Sequence, residues 1–240
     1  MIQTATETIT IPARFNGPRE SGNGGYSAGL VAGLIDGPAE VSLRSPVPLD
    51  TALPVERSQH GEVMVRDRGT LVATARVAAE GVDLDVPAPV DPDEARRAAA
   101  RYRGSGYDLL SQCYVCGCER VDTFGVFAAP VDGRGIVASP WTPPCWAADT
   151  VGHVRPEHIW AALDCPTYFA SYVNEPFGMS MLARMSARID AAVVAGTEHV
   201  VIAWPIATDG RKRHAASAVL SADGEVLAVA QALLIELRAD

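Results

Sequence analysis

Three glycines, Gly22, Gly24 and Gly25, stand directly ahead of an apolar run in the segment PRESGNGGYSAGLVAGLIDGP, residues 18–38. Glycine loses more backbone entropy on folding than other residues, so a cluster at a helix start indicates that another group approaches the backbone closely. The free N–H groups and the dipole at a helix start favour an anion or a polarised oxygen atom there. The chemistry predicted is therefore binding of a phosphate or of a carbonyl oxygen.

Two phosphate-binding motifs do not fit this segment. A dinucleotide fingerprint needs a glycine where Ser27 stands, and a Walker loop needs a Gly-Lys-Ser/Thr sequence, whereas the segment contains no lysine. The sequence thus favours a helix that presents its first amides to a carbonyl oxygen. A tight turn into a buried helix, with no ligand, is the alternative explanation of the same glycines.

A single carboxylate, Asp164, interrupts the apolar face of a second predicted helix within IWAALDCPTYFA. It lies eight residues after Pro156, which suits a first helical turn, and Ala32 lies eight residues after Gly24. Superposing the two starts gives one helix with glycines and no acid, and another with an acid and no glycines. Amides from one half would then meet the carboxylate from the other. The alternative role of Asp164 is to cap a helix turn that restarts at Pro166.

Both helices are accompanied by strands, which would position them. Hairpins are predicted in EVMVRDRGTLVATARVA, residues 62–78, and in ASAVLSADGEVLAVAQALL, residues 216–234, because each pairs apolar runs around a turn that contains glycine. One helix cannot cover a long antiparallel sheet on both faces. We therefore expect an α+β fold in which each sheet wraps around its helix and two such units pair.

The boundaries of the two units follow from composition. A first unit is predicted over residues 1–88 and a second over residues 107–240. The connector, residues 89–106, closes a breaker-rich interval that begins at residue 79 and includes a short helix rich in alanine and arginine.

This arrangement resembles the hotdog-fold acyl-CoA thioesterases in a double-hotdog form, with two fused repeats. It is similar to the phenylacetyl-CoA-type subgroup, whose helix opens with His-Gly-Gly and carries an Asp eight residues after the first of those glycines. Gly24 and Gly25 match the glycines, Asp164 matches the acid, and Asn23 stands where the histidine is usual. CYVCG, residues 113–117, resembles the Cys-x-x-Cys-Gly at which many of these domains begin.

The resemblance implies an acyl-CoA thioesterase with one composite site. The amides of Gly24 and Gly25 would polarise the thioester carbonyl, and Asp164 would act as base or nucleophile. The coenzyme A thioester is the substrate, and no cofactor is expected. Substrate contacts are expected from the residues near these groups, which are Asn16, Asn23, Tyr26 and Trp160. The alternatives are a hotdog hydratase or dehydratase, which usually needs a histidine in place of Asn23, and a non-catalytic acyl-binding module.

Coenzyme A carries phosphates, and TDGRKRHAAS contains the densest positive cluster of the chain. Arg211, Lys212 and Arg213 are therefore predicted to bind those phosphates. A solvated hairpin tip is the alternative for the same residues.

The five cysteines include Cys113, Cys116 and Cys118 within CYVCGCER. Cys-x-x-Cys is half of a structural zinc site, but the sequence has no second Cys-x-x-Cys or His-x-x-x-His pair. We therefore expect no metal and interpret these residues as reduced cysteines packed at the entrance of a strand.

The remaining expectations come from composition. A formal net charge of −9 gives no indication of binding to nucleic acid or to an anionic membrane. No apolar run approaches the roughly 20 residues that span a bilayer, and the first residues lack the pattern of a secretory signal. A cytoplasmic protein is expected, and a homodimer of double-hotdog chains is a further possibility.

Overall fold

The computed structural model of the chain describes residues 7–78, 82–104 and 106–238. The limits of the predicted units at residues 1 and 240, and the start of the breaker-rich interval at residue 79, lie outside the described residues. Within the described part of the chain, no helix is both long enough and apolar enough to cross a membrane.

Helix α1 and five strands form the first part of the chain. In chain order these are β1 (Thr8–Ile9), α1 (Gly24–Ala32), β2 (Ala39–Leu43), β3 (Leu53–Arg57), β4 (Val63–Asp67) and β5 (Thr70–Val77). The predicted hairpin of β4 and β5 is confirmed. Arg68 and Gly69 turn the chain there with φ of 46° and 89°.

The second part of the chain contains two helices and six strands. They are α2 (Pro92–Ala99), β6 (Ala129–Pro130), β7 (Val137–Trp141), α3 (Pro156–Ala170), β8 (Ser180–Ile189), β9 (His199–Asp209), β10 (Lys212–Ser221) and β11 (Val226–Glu236). The predicted hairpin of β10 and β11 is confirmed, and the connector contains α2 as expected. Helix α3 continues through Pro166, so no helix restarts there.

All eleven strands described lie in one antiparallel sheet of order β1-β3-β4-β5-β2-β8-β11-β10-β9-β7-β6. Strands β2 and β8, each the first strand after a helix, pair at its centre from Ala39↔Ala187 to Ser42↔Arg184. Outwards from this pair, β5, β4 and β3 follow on one side and β11, β10 and β9 on the other. The architecture is the predicted α+β class.

Helices α1 and α3 pack against each other on one face of the sheet. They run in opposite directions, since Gly25 lies against Trp160 and Asp164 whereas Gly29 lies against Glu157. A Cβ atom on Gly25 would lie 2.5 Å from the Trp160 carbonyl oxygen, and one on Gly29 would lie 2.6 Å from Glu157 Cα. These glycines therefore allow the helix backbones to approach closely.

The sheet separates two apolar cores. Alternation along β9 sends Val201 and Ala203 into the core with α1 and α3, and Val200 and Ile202 into a smaller core with α2. Helix α2 of the connector is therefore packed on the outer face of the second part of the sheet, and the inner face holds the two helices that carry the predicted site.

Candidate functional site

Asn23 begins α1 as its N-cap residue. Its backbone is extended, with φ −58° and ψ 134°, and its Oδ1 accepts a hydrogen bond from the Tyr26 amide at 2.9 Å. This is the usual way in which an asparagine satisfies one of the free amides of a first helical turn. The cap leaves the amides of Gly24 and Gly25 for other partners.

Asp164 comes from the middle of α3 and meets that first turn. The Gly25 amide donates to Asp164 Oδ2 at 2.7 Å, and both residues are buried. The predicted meeting of a glycine amide from the first half with an acid from the second is therefore present. The alternative role of Asp164 as a cap is wrong, because α3 continues through Pro166 and no described hydrogen bond joins the Asp164 carboxylate to its own helix.

The Gly24 amide donates no hydrogen bond within the described residues, as expected for the first N–H of a helix without a second cap. Gly24 is half-buried, and a Cβ atom there would lie 3.0 Å from the Leu182 side chain and 3.1 Å from Asp164 Oδ2. An unpaired backbone donor and a carboxylate oxygen are therefore neighbours at the more exposed end of this site.

Burial raises the pKa of Asp164 to about 7, the hydrogen bond from Gly25 opposes this shift, and the nearby Cys113 adds to it. A carboxyl group in this range exchanges its proton near neutral pH, which is the property required of a general base or acid.

Asn16 is also buried, but its polar atoms are used within the protein. Its Nδ2 donates to the carbonyl oxygens of Gly17 and Gln112 at 3.1 Å, and its Oδ1 accepts from Arg120 at 2.6 Å. In this structure Asn16 therefore fastens the loop before α1 to the segment around residue 112. Its predicted contact with a substrate stays a prediction.

Tyr26 and Trp160, two other predicted contacts, lie in the packed interior. Tyr26 stacks on Phe15 with ring centroids 4.2 Å apart, and burial raises its pKa to about 12. The Trp160 side chain lies against α1, and a Cβ atom added to Gly29 would be only 2.9 Å from Trp160 Cβ. Both side chains support the helix pair on which the site is built.

Three predicted phosphate ligands lie at the β9–β10 hairpin, and one of them is not free. The guanidinium of Arg213 is buried, pairs with Glu175 at 2.9 Å and Glu236 at 2.7 Å, and lies 4.0 Å over the Tyr172 ring. Arg211 and Lys212 are exposed and stay predictions. The assignment of Arg213 as a phosphate ligand is corrected, because its charge is balanced inside the protein.

Sequence reasoning gave no role to His158, which is fully buried at the start of α3. Its Nε2 lies 2.9 Å from Arg155 Nη2 and its Nδ1 lies 2.7 Å from the Tyr114 hydroxyl. The guanidinium can only donate, so Nε2 accepts and the neutral ring carries its proton on Nδ1. Burial and the charges of Arg155 and Arg14 lower the pKa of His158 to about 3. Nothing in the sequence around His158 pointed to Tyr114, which is 44 residues away.

The cysteines that lie together in the structure are not the three that lie together in the sequence. Cys165, next to Asp164, joins Cys113 and Cys116 in a buried cluster, whereas Cys118 is exposed and lies near Gly104. The expectation that Cys113 and Cys116 are reduced and packed fits their free thiols. The expectation that Cys118 belongs with them is wrong, because the turn at Gly117 directs it elsewhere.

No family model matches the chain, and no curated protein matches its sequence. Solved structures do match over nearly its whole length. A putative thioesterase from Novosphingobium aromaticivorans has a TM-score of 0.64 at 17% identity, covering 98% of this chain and 97% of that one. A protein of unknown function with a hot dog fold from Alicyclobacillus acidocaldarius has a TM-score of 0.62 at 11% identity, covering 100% and 96%.

A third match is described as an acyl-CoA thioesterase II from Mycobacterium marinum, with a TM-score of 0.57 at 13% identity and coverage of 100% of this chain and 96% of that one. Similarity at this level of identity establishes the fold and leaves the activity to the site residues. The predicted resemblance is confirmed at that level: this chain has the fold of the hotdog-fold thioesterases.

Proposed function

We propose that the chain is an acyl-CoA thioesterase built as a double hotdog, with one composite active site between its two repeats. The observation that carries this proposal is the 2.7 Å hydrogen bond from the Gly25 amide to Asp164 Oδ2, which joins the glycine-rich start of α1 to the acid of α3. The strand order supports two repeats, because equivalent strands follow one another outwards from β2 and β8. We propose repeats over residues 1–88 and 107–240, joined by residues 89–106.

In this proposal the Gly24 amide donates a hydrogen bond to the carbonyl oxygen of the thioester. It is unpaired within the described residues and belongs to the half-buried end of the site, whereas the Gly25 amide already holds the carboxylate. Negative charge grows on the carbonyl oxygen as the carbon is attacked. A backbone donor fixed at a helix start stabilises that charge without reorganising, and one such donor contributes about 3 to 4 kcal/mol.

Asp164 supplies the second part of the chemistry. As a base it takes a proton from the attacking water, which adds about 10² to 10⁴ in rate. As a nucleophile it attacks the carbonyl carbon and forms a mixed anhydride, which water then hydrolyses. In both routes the bond to sulfur breaks and coenzyme A leaves as its thiolate, a good leaving group that needs no dedicated acid.

The other elements of the proposal are the substrate and the assembly. The substrate class is a small-molecule acyl-CoA, with Arg211 and Lys212 as the cations offered to its phosphates, and no cofactor takes part. We propose a cytoplasmic protein that does not bind nucleic acid or membranes, and a homodimer of such chains is compatible with it.

A non-catalytic acyl-binding module is the second candidate function. The observation that favours it is the burial of the site: Asn23 and Asp164 are 2% and 7% exposed, and one of the two glycine amides is already used. A hydratase is less well supported, because Asn23 stands where a histidine would be needed.

Thiol release from a panel of acyl-CoAs of different chain lengths tests the proposal, with background from the protein's own exposed thiols subtracted. We expect turnover by the wild type and a loss of about 10² to 10⁴ in kcat for Asp164→Asn. Asp223→Asn, at the exposed β10–β11 turn, is the matched control and retains the rate. A wild type that binds acyl-CoA in calorimetry but releases no thiol would establish the binding module instead.

A further inference from the structure

Three cysteine sulfurs meet beside the candidate site. Cys113 and Cys116 come from the loop that follows residues 108–110, and Cys165 comes from α3, directly after Asp164. All three sulfur atoms lie within 4.8 Å of one another, and Cys113 Sγ is 3.8 Å from Cys165 Sγ. The three thiols are buried and form no disulfide bond. They therefore gather between the loop and the helix without a covalent link.

Gly117 allows the loop to close tightly behind the first two cysteines. Its amide donates to the Cys113 carbonyl oxygen at 2.9 Å. A Cβ atom at this position would lie 2.5 Å from that oxygen and 2.7 Å from the Ser111 carbonyl oxygen. Tyr102 fixes the same turn by donating its hydroxyl to the Cys116 carbonyl oxygen at 2.6 Å. Backbone contacts thus hold the two thiols of a Cys-x-x-Cys pair toward one point.

Asn23 faces two of the sulfurs from the start of α1. Its Nδ2 lies 3.7 Å from Cys113 Sγ and 3.7 Å from Cys165 Sγ. Its orientation is fixed, because Oδ1 is held by the Tyr26 amide. An N–H group directed at sulfur stabilises the thiolate relative to the thiol, and such orienting contacts are characteristic of metal sites.

The separation of the sulfurs matches a metal site. Thiolates placed about 2.3 Å from a zinc ion at tetrahedral angles are about 3.8 Å apart. The separation of Cys113 and Cys165 is 3.8 Å, and Cys116 lies within 4.8 Å of both. Only a small movement of Cys116 would complete a three-sulfur set around one ion.

A surface cavity lies beside one member of this cluster. It has a volume of about 300 Å³, and its lining includes Cys116, Tyr102 and Phe169. Cys116 is therefore the member of the cluster that borders a space large enough for water and a small ion.

We propose that Cys113, Cys116 and Cys165 form a binding site for a thiophilic divalent metal ion, which zinc(II) represents. A set made of sulfur alone favours such ions over magnesium or calcium, which prefer oxygen. A water molecule or another small ligand takes the fourth tetrahedral position. Each thiol that still carries its proton releases it to the solvent on binding, so that three thiolates and zinc(II) have a net charge of −1.

The bound ion ties together the elements that carry the proposed catalytic groups. It links the loop to α3 beside Asp164, and Asn23 extends the link to the start of α1. Because a ligand that binds only the folded state stabilises it, zinc raises the melting temperature. The ion takes no part in the thioester chemistry proposed above, so the two proposals succeed or fail separately.

Metal binding is measured on the full chain, stripped of metal and kept reduced, by competition with a chromogenic zinc chelator. We expect one zinc per wild-type chain, and a loss of more than about 100-fold in affinity for Cys116→Ser and Cys165→Ser. Cys118→Ser and Cys145→Ser are the matched controls, since both thiols are exposed and outside the cluster, and they keep wild-type affinity. Cobalt(II) gives an independent readout, a sulfur-to-cobalt charge-transfer band that the cluster variants lose.

A variant that fails to fold is recognised by its near-ultraviolet circular dichroism. The proposal is then tested on the wild-type protein alone, by the effect of zinc on alkylation of its cysteines. Zinc should slow alkylation of Cys113, Cys116 and Cys165, mapped by mass spectrometry, and leave Cys118 and Cys145 unchanged. The proposal is overturned if the folded wild type binds neither zinc nor cobalt, if the control variants lose affinity as strongly as the cluster variants, or if zinc protects all five thiols equally.

Discussion

Helices α1 and α3 meet at two junctions, and the junctions differ in what they bring together. At the first, α1 begins with an asparagine cap and a glycine pair, its Gly24 amide has no partner within the described residues, and Asp164 lies against it. At the second, α3 begins with Pro156, which has no N–H to offer, and Glu157 pairs with Arg155.

The comparison shows how one pair of packed helices yields a single candidate site. A helix start provides amides without intrahelical partners, and the residues there decide whether a ligand can use them. Glycine leaves the amide accessible and lets the acid approach, whereas proline removes one donor. The second junction is filled instead by His158, which is surrounded by Phe15, Tyr26 and Trp146. This junction supports the fold, and its acid, Glu157, pairs with the side chain of Arg155 instead of with a backbone amide of the other helix.

The largest expected effect is that of Gly25→Ala, which removes the space at the first junction. Its Cβ atom would lie 2.5 Å from Asp164 Cβ and from the Trp160 carbonyl oxygen. Overpacking typically costs about 1 to 3 kcal/mol, and we expect the upper end of this range or more because the Trp160 carbonyl oxygen belongs to a helix backbone that cannot move aside as a side chain can. The free energy of unfolding in urea should therefore fall strongly. Gly33→Ala, at the end of the same helix with no atom closer than 3.4 Å, is the control and stays near wild type. Equal stability of the two variants would contradict the close approach.

The next largest effect is expected when the N–H of Gly24 is removed. Gly24→Pro removes its N–H at the first helical position, where proline is tolerated, and the extended backbone of Asn23 suits a following proline. Gly24→Ala adds a Cβ atom but keeps the N–H, so it controls for the new contacts with Leu182 and with Asp164 Oδ2. We expect kcat for thiol release to be about 10² to 10³ lower for proline than for alanine. Equal rates would mean that this amide does not act on the carbonyl oxygen.

A smaller effect, on stability and pH, is expected at the second junction. The pKa of His158 is about 3 in the folded protein, lowered by burial and by Arg155 and Arg14, while Tyr26 and Tyr114 face its ring. The unfolded chain, with an ordinary histidine pKa of about 6.5, binds a proton that the folded chain does not. The neutral ring therefore contributes its full stabilisation above pH 6.5, and this stabilisation is lost as the pH falls from 6.5 toward 3. The free energy of unfolding decreases by about 2 kcal/mol between pH 7 and pH 5.

Urea unfolding at pH 7 and pH 5 measures this loss. His158→Gln removes the titration and should reduce the difference between the two pH values by most of that amount. His153→Gln, on the exposed loop before α3, should keep the wild-type difference. A His158→Gln variant with the wild-type difference would show that the acid sensitivity arises elsewhere.

The sequence sufficed for the two helices of the candidate site, for the β4–β5 and β10–β11 hairpins and for the main contact of the site. Periodicity and turn glycines predicted both long hairpins, since these signals are local. Superposing the helix starts predicted that Gly24 and Gly25 face Asp164, because the two helices have equivalent places in similar halves. This prediction needed no knowledge of side-chain contacts.

Contacts between distant residues could not be predicted in this way. The segment TDGRKRHAAS gives no sign that Arg213 is paired, because its partners Glu175 and Glu236 are 38 and 23 residues away in the sequence. Cys165 is 52 residues from Cys113, so no metal-site spacing connects them. A spacing rule describes one local segment of the sequence. The ion pairs of Arg213 form between β10, β11 and the segment after α3, and the cysteine cluster forms where α3 packs against the loop before β6.

The most direct test of the account compares one change of charge at the two junctions. Asp164→Asn and Glu157→Gln each replace a carboxylate of α3 by an amide, and kcat for thiol release from a turned-over acyl-CoA is measured for both. We predict a loss of about 10² to 10⁴ in kcat for Asp164→Asn and less than about twofold change for Glu157→Gln, with both proteins folded. A folded Asp164→Asn variant with the wild-type rate, or equal losses for the two variants, would contradict a single site at the start of α1.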